Sequence, residues 1–303
     1  MTTTSSKADG LWVLARDAAV AGSQAARAAL GGEARRGECH DMAGHIGSPH
    51  LPVDVVAHEA VERFVYGAHR GPVQIVGEEV HRSLWTPVGG LVVTVDPVDG
   101  TGPATDLGFG WSTVVLVHRL ARVGGWRLVG AAVSLSSGLC ISYKAPGVVV
   151  VDDVLGGTSR VAAITGSGSG AIAAVGAKQT TRERWRAAVG PEAATVYNLG
   201  GSPTAWGLLC GRLSASVVLG SSTQWDAVHV LLASEAGARV ATGDGIVPAA
   251  QVRAWFAAPP FDDGDSHPVP PCAVARDADT ALALATRTAR APRPELVLES
   301  SDA

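Results

Sequence analysis

Charge, aromatic rings and cysteine are all scarce in this sequence. Of its 303 residues only 17% are charged, 5% are aromatic and four are cysteines. The basic residues form no block and do not interleave with aromatics, and the formal net charge is −4. That balance excludes a nucleic-acid polymer as the main partner. No run of about 18 apolar residues occurs, so no membrane span is expected. The opening Met1-Thr-Thr-Thr-Ser-Ser-Lys lacks the charged-then-apolar order of a signal peptide and reads as a short disordered lead-in. Cys39, Cys140, Cys210 and Cys272 lie far apart, with no CxxC pair. The last three have apolar or proline neighbours and read as buried thiols, which fits a reducing cytoplasm. Cys39-His40 with His45 and His50 matches no zinc spacing, and that stretch reads as a polar, glycine-rich loop.

What is plentiful is apolar material: 47% of the chain, enough for one large core or two lobes. The most informative stretch is Gly89-Gly90-Leu91-Val92-Val93-Thr94-Val95, followed by Asp96-Pro97-Val98-Asp99-Gly100-Thr101. The first part reads as a buried strand ending at turn residues. Asp96 and Asp99 then flank a proline that fixes the local backbone, and Gly100 leaves the main chain open to a ligand. Two close carboxylates repel unless a cation lies between them or one holds a proton. Oxygen sites of this kind suit Mg²⁺, which binds through few carboxylates plus a substrate phosphate. The competing reading is a surface turn closed by Asp-Gly.

Along the chain, residues 10–30 read as an alanine-rich helix stopped by Gly31-Gly32. Residues 53–66 read as a second helix with Asp54 in its first turn, where an acid favours the helix dipole. Val73 to Val76 is a strand running into Gly77-Glu78-Glu79, again a strand ending in acids. Its spacing from Asp96 lets the two strands be neighbours. Residues 111–118, 126–133, 139–143 and 148–154 read as successive antiparallel strands. Residues 165–170 (TGSGSG) lack the lysine of a phosphate-binding loop and read as a linker or surface turn at a lobe boundary. Two lobes follow: 1–165, α+β, and 166–303, α/β.

The second lobe alternates. A helix is expected over 180–189, a strand over 194–199, and a helix over 204–213 capped by Ser202. A strand over 215–219 leads through a polar turn to Trp225-Asp226 and a helix over 227–236, stopped by Gly237. Strands are expected over 251–257 and 272–275, then a closing helix over 277–291 and a loose acidic tail.

Gly77-Glu78-Glu79, the hexapeptide Asp96 to Thr101, Gly201-Ser202 before a helix, and Trp225-Asp226 before a helix ending Glu235-Ala236-Gly237 occur in that order. The series resembles the inositol monophosphatase family, within the lithium-sensitive sugar-phosphatase and fructose-1,6-bisphosphatase superfamily, over nearly the whole chain. The resemblance implies an α/β fold, a five-layered α-β-α-β-α sandwich, often a homodimer. It implies that Glu78, Asp96, the Val98 carbonyl, Asp99 and Asp226 hold two or three Mg²⁺ ions, most of them in the first lobe, with Glu79 in support. Thr101, held by Asp54, would orient and deprotonate the attacking water. The phosphate would lie against Gly100 and Thr101, and Gly201, Ser202 and Asp226 would meet the rest of the substrate.

The chain departs from that pattern in places. Gly102-Pro103-Ala104 stands where the family has Thr-Asn-Phe or similar. Residues 214–219 lack the acid that contacts substrate hydroxyls in many members, and the lysine common before the Asp54 region is not evident. These departures turn the expectation from myo-inositol 1-phosphate toward a specialised sugar, cyclitol or nucleoside-type phosphate. The alternative is a catalytically weak relative that binds a phosphorylated ligand or a protein partner.

Overall fold

The computed structural model describes residues 5–31, 52–77, 86–100, 104, 110–123, 125–145, 147–164, 170–175, 187–190, 195–198, 201–220, 222–259 and 268–290. The Cys39–His50 stretch, Glu78, Glu79, Thr101, residues 165–169 and 180–186, and the tail lie outside the described residues.

Two helices form the first layer. Alanine-rich α1 spans Ser5–Gly31 and α2 spans Pro52–Ala68. The lead-in is therefore shorter than expected, since the helical run starts at Ser5 rather than Gly10. Pro52 suits a first helical position, where its missing N–H costs nothing. Leu14, Ala15 and Ala18 of α1 and Val61 and Val65 of α2 share a core with Ile75, Val93, Val95, Val115 and Val117. A Cβ on Gly130 would lie 2.7 Å from the Trp12 Cα, so the helix rests against backbone there.

The second layer is a seven-stranded sheet in sequence order: β1 Val73–Gly77, β2 Leu91–Asp99, β3 Ser112–Leu120, β4 Trp126–Leu135, β5 Leu139–Lys144, β6 Val148–Asp153 and β7 Thr158–Val161. β1 and β2 pair in parallel with Gly77 opposite Val95, and the rest run antiparallel. The expected strands are all present. β2 continues through Asp99 instead of ending at Val95, because Pro97 sits at an irregularity in the β2–β3 ladder where no N–H is needed. The exposed polar strand β7 carries no apolar alternation and gave no signal.

The second sheet has the order β12-β11-β13-β10-β8-β9. It comprises β8 Ala171–Val175, β9 Thr195–Asn198, β10 Ala215–Val218, β11 Arg239–Thr242, β12 Gly245–Val247 and β13 Cys272–Ala275. Between the sheets lie α3 Gly201–Leu209, α4 Val228–Glu235 and α5 Ala249–Trp255, and outside the second sheet lies α6 Ala278–Arg290. One core joins Val114, Leu116 and Val133 of the first sheet to Leu208, Leu231 and Phe256 of the middle region and to Val218 and Val274 of the second sheet. Another places Ala281 and Leu284 on the far face, against Ala215, Val217 and Ala273. The order of layers is α-β-α-β-α, as the resemblance implied.

Three local expectations are corrected. Residues 251–257 are not a strand: α5 covers most of them, with Val252 and Phe256 buried four residues apart, one helical turn. A seven-residue helix shows too little periodicity to outweigh the β preference of Val, Trp and Phe. Ser202 lies inside α3 rather than capping it, and the helix ends at Leu209 because Gly211 takes φ +78°. Cys140 and Cys272 are buried free thiols, but Cys210, in the turn after α3, is half-buried.

Candidate active site

The site lies where β2 runs out toward the middle layer. In a regular strand residues 96 and 99 would face opposite sides of the sheet, because side chains alternate. Here Asp96 pairs with Val114 and Asp99 with Ser112, so three steps on β2 oppose two on β3. The extra residue is a bulge. It resets the alternation and turns both carboxylates to the face that carries Val114, the inner one. The Thr113 hydroxyl donates to the Pro97 carbonyl at 2.8 Å, which ties off the bulge. Val98 faces the other way, into a cluster with Ala26, Leu30, Val53 and Ala57.

Two middle-layer elements meet this strand end. Asp226 precedes α4 in a turn where the Thr223 hydroxyl donates to Asp226 Oδ2 at 2.8 Å and accepts from the Asp226 N–H at 3.3 Å. The Thr-x-x-Asp spacing resembles a capping box and was a readable signal for Thr223. α3 starts at Gly201, where a Cβ would lie 1.3 Å from the Asp226 carbonyl oxygen. Only glycine lets these two backbones touch. The Ser202 N–H, one of the free donors of the first turn of α3, donates to Asp99 Oδ2 at 2.8 Å, and the Ser202 hydroxyl donates to the same oxygen. Asp99 thus serves α3 as an N-terminal anion from a neighbouring strand. The Ser112 and Ser202 hydroxyls are hydrogen-bonded as well, a contact no sequence pattern announced.

The result is one acidic cluster: Asp96, Asp99 and Asp226 each bring a carboxylate oxygen within 4.8 Å of the others. Asp96 and Asp99 are buried and Asp226 is half-buried. Burial first, and the charge of Asp226 second, push the Asp99 carboxyl up to about 6, against the two hydrogen bonds from Ser202 that lower it. All-oxygen donors, close spacing and an ionisation hindered by like charge fit a hard divalent cation such as Mg²⁺.

The remaining expected residues stand as follows. Asp54 is buried in the first turn of α2. Its neighbours Val53 and Ala57 pack with Val98 and Ala104 on either side of the stretch that includes Thr101. Gly100 has φ +91°, its carbonyl accepts from the Ala104 N–H at 3.0 Å, and a Cβ there would lie 3.1 Å from the Gly110 carbonyl oxygen. A side chain at position 100 would be strained on both counts. Glu78, Glu79 and Thr101 are outside the described residues.

No family model matches the sequence, and neither does any curated protein sequence. Solved structures do match. SuhB of Mycobacterium tuberculosis is 20% identical, with a TM-score of 0.61 over 92% of this chain and 97% of that one. CysQ of Bacteroides thetaiotaomicron, a bacterial member of the inositol monophosphatase family, is 15% identical, with a TM-score of 0.60 over 90% and 98%. The chain has the inositol monophosphatase fold. An inositol monophosphatase of Zymomonas mobilis matches as well, 15% identical, at 0.59 over 92% and 98%. At such identities the likeness concerns the fold, and the inositol monophosphatase fold here accounts for the five layers. Among the described residues no helix is long and apolar enough to cross a membrane.

Proposed function

We propose that this protein is a Mg²⁺-dependent phosphatase acting on a small phosphomonoester of sugar, cyclitol or nucleoside type. The observation that carries the reading is the convergence of Asp96, Asp99 and Asp226, from one strand and one helix start, with oxygens within 4.8 Å. The fold shared with inositol monophosphatases supports it. Glu78 belongs to the proposed acidic set: it follows Gly77 in the sequence, and Gly77 pairs with Val95, the residue before Asp96. The Val98 carbonyl is the fifth expected ligand.

Bound Mg²⁺ would supply Lewis acidity to the phosphate ester and lower the pKa of the attacking water. The chain's own groups do the rest. Asp54 accepts the Thr101 hydroxyl proton as that hydroxyl oxygen takes one from the water, and Glu79 supports the acidic set. The Gly100 and Thr101 amides receive the phosphate oxygens, and the positive φ of Gly100 opens the backbone to them. Asp226 faces the substrate as well as the cation, and Gly201 and Ser202 line its far side while fixing Asp226 and Asp99. β10 carries Ala215, Ser216 and apolar residues where an acid would meet ring hydroxyls, so the substrate differs from myo-inositol 1-phosphate. A homodimer in the cytoplasm belongs to the same proposal.

Phosphate release over sugar, inositol and nucleotide phosphates, with Mg²⁺ and with chelator, tests the reading. Release is expected only with Mg²⁺, and Asp99→Asn is expected to lower kcat by about a hundredfold or more. Metal uptake without release across the panel would favour the binding-only alternative.

A further inference from the structure

Ser112 opens β3, is wholly buried and stands directly opposite Asp99 in the ladder. Its hydroxyl carries one hydrogen, and its one hydrogen-bond partner among the described residues is Ser202 Oγ. The Ser202 hydroxyl also carries one hydrogen but has two oxygens in reach, Asp99 Oδ2 and Ser112 Oγ. If Ser202 donated to Ser112, the hydrogen of Ser112 would have no acceptor among the described residues. Asp99 Oδ2 would then face lone pairs, an expensive arrangement in a dry site. Donation from Ser112 to Ser202 and from Ser202 to Asp99 satisfies every group.

Asp99 Oδ2 then receives two donors, the Ser202 N–H and O–H, and its lone pairs are filled. We propose that Ser112 is a positioning residue: by directing the Ser202 hydroxyl onto Asp99 Oδ2, it leaves Asp99 Oδ1 as the oxygen presented to a divalent cation shared with Asp96 and Asp226. The proposal rests on the metal-site reading above and extends it to a residue that touches neither cation nor substrate. Outer partners of this kind orient ligands and tune metal affinity. A serine that merely filled space would leave affinity untouched when shortened to alanine.

Two measurements on the full chain decide it. Mn²⁺ binding, followed by electron paramagnetic resonance, is expected to weaken about tenfold in Ser112→Ala and to recover in Ser112→Thr. The melting temperature in chelator should stay close to the parent's. In metal-free crystal structures, the Ser202 Oγ is expected to leave Asp99 Oδ2 in Ser112→Ala only. Ser202 remaining on Asp99 in that variant, or Mn²⁺ affinity equal to the parent's, overturns the proposal. If the parent protein takes up no Mn²⁺, the metal-site reading falls, and the crystal comparison alone judges the hydroxyl relay.

Discussion

Asp99 is the residue on which the site's electrostatics concentrate. Its carboxyl, near 3.8 when free, is pushed up to about 6 by burial and by Asp226. Between those values the folded, metal-free chain keeps a proton that the unfolded chain has lost. Asp99 therefore subtracts stability as pH rises through that window. A divalent cation competes with the same proton. Stabilisation by Mg²⁺ in thermal melts should accordingly be larger near pH 7.5 than near pH 5, and an equal shift at both would contradict a cation on Asp99. Gly201 is the steric counterpart. Its virtual Cβ lies 1.3 Å from the Asp226 carbonyl oxygen, so Gly201→Ala must separate α3 from Asp226. A loss of about 3 kcal/mol in urea unfolding is expected, together with loss of Mn²⁺ binding.

At the scale of elements, polar ties join the middle-layer helices to one another, as between α4 and α5, and to the first sheet, as from Ser202 to Asp99. Glu235, at the end of α4, has an almost fully buried side chain that accepts from Arg253 of α5 at 2.7 Å. A Cβ on Gly147, in the turn between β5 and β6, would lie 3.4 Å from Glu235 Oε2. Glu235→Ala should cost about 2 kcal/mol in chemical unfolding, below the range for a fully buried pair, because half-exposed Arg253 can turn to water. The first six strands of the first sheet were legible because apolar runs there are set off by turn signals, whereas exposed β7 has no such run. The middle-layer helices were less so. α3 and α4 are apolar all round, so they show no stripe to fix their ends, and α5 is too short to show a period. Within the site, the acids at 96, 99 and 226 stand out in the sequence. The hydroxyls of Ser112 and Ser202 do not, because their roles exist only once β3 and α3 meet at Asp99.

For the molecule as a whole, the layer order was legible only through the resemblance: alternation of strand and helix does not say which sheet a strand joins. β8, β11 and β12 were not expected, because alanine, glycine and polar residues dilute their short apolar runs. Two buried histidines set how the packed layers respond to acid. Burial pushes His118 down to about 3 and His229 to about 4. His118, on β3, is hydrogen-bonded at 3.1 Å to the Phe256 carbonyl at the end of α5. The unfolded chain takes up both protons near pH 6.5 while the folded chain refuses them. Stability therefore falls as pH drops below that value, by up to about 1.4 kcal/mol per unit for each histidine. Asp99 in the metal-free chain offsets part of this below about pH 6. The urea midpoint in chelator should be lower near pH 5 than near pH 7, and a flat profile would contradict the assignment.

The bulge at Pro97 gives the interval between Asp96 and Asp99 a meaning that neither residue type carries. Removing or adding one amino acid there would leave the sheet's composition almost unchanged, yet would rotate one acid to the wrong side, toward the outer helices. Loop lengths elsewhere can drift without harm, but at this point the chain keeps count. A substitution survey of residues 97 and 98 would therefore understate how tightly this segment is constrained, since the constraint is on number rather than identity.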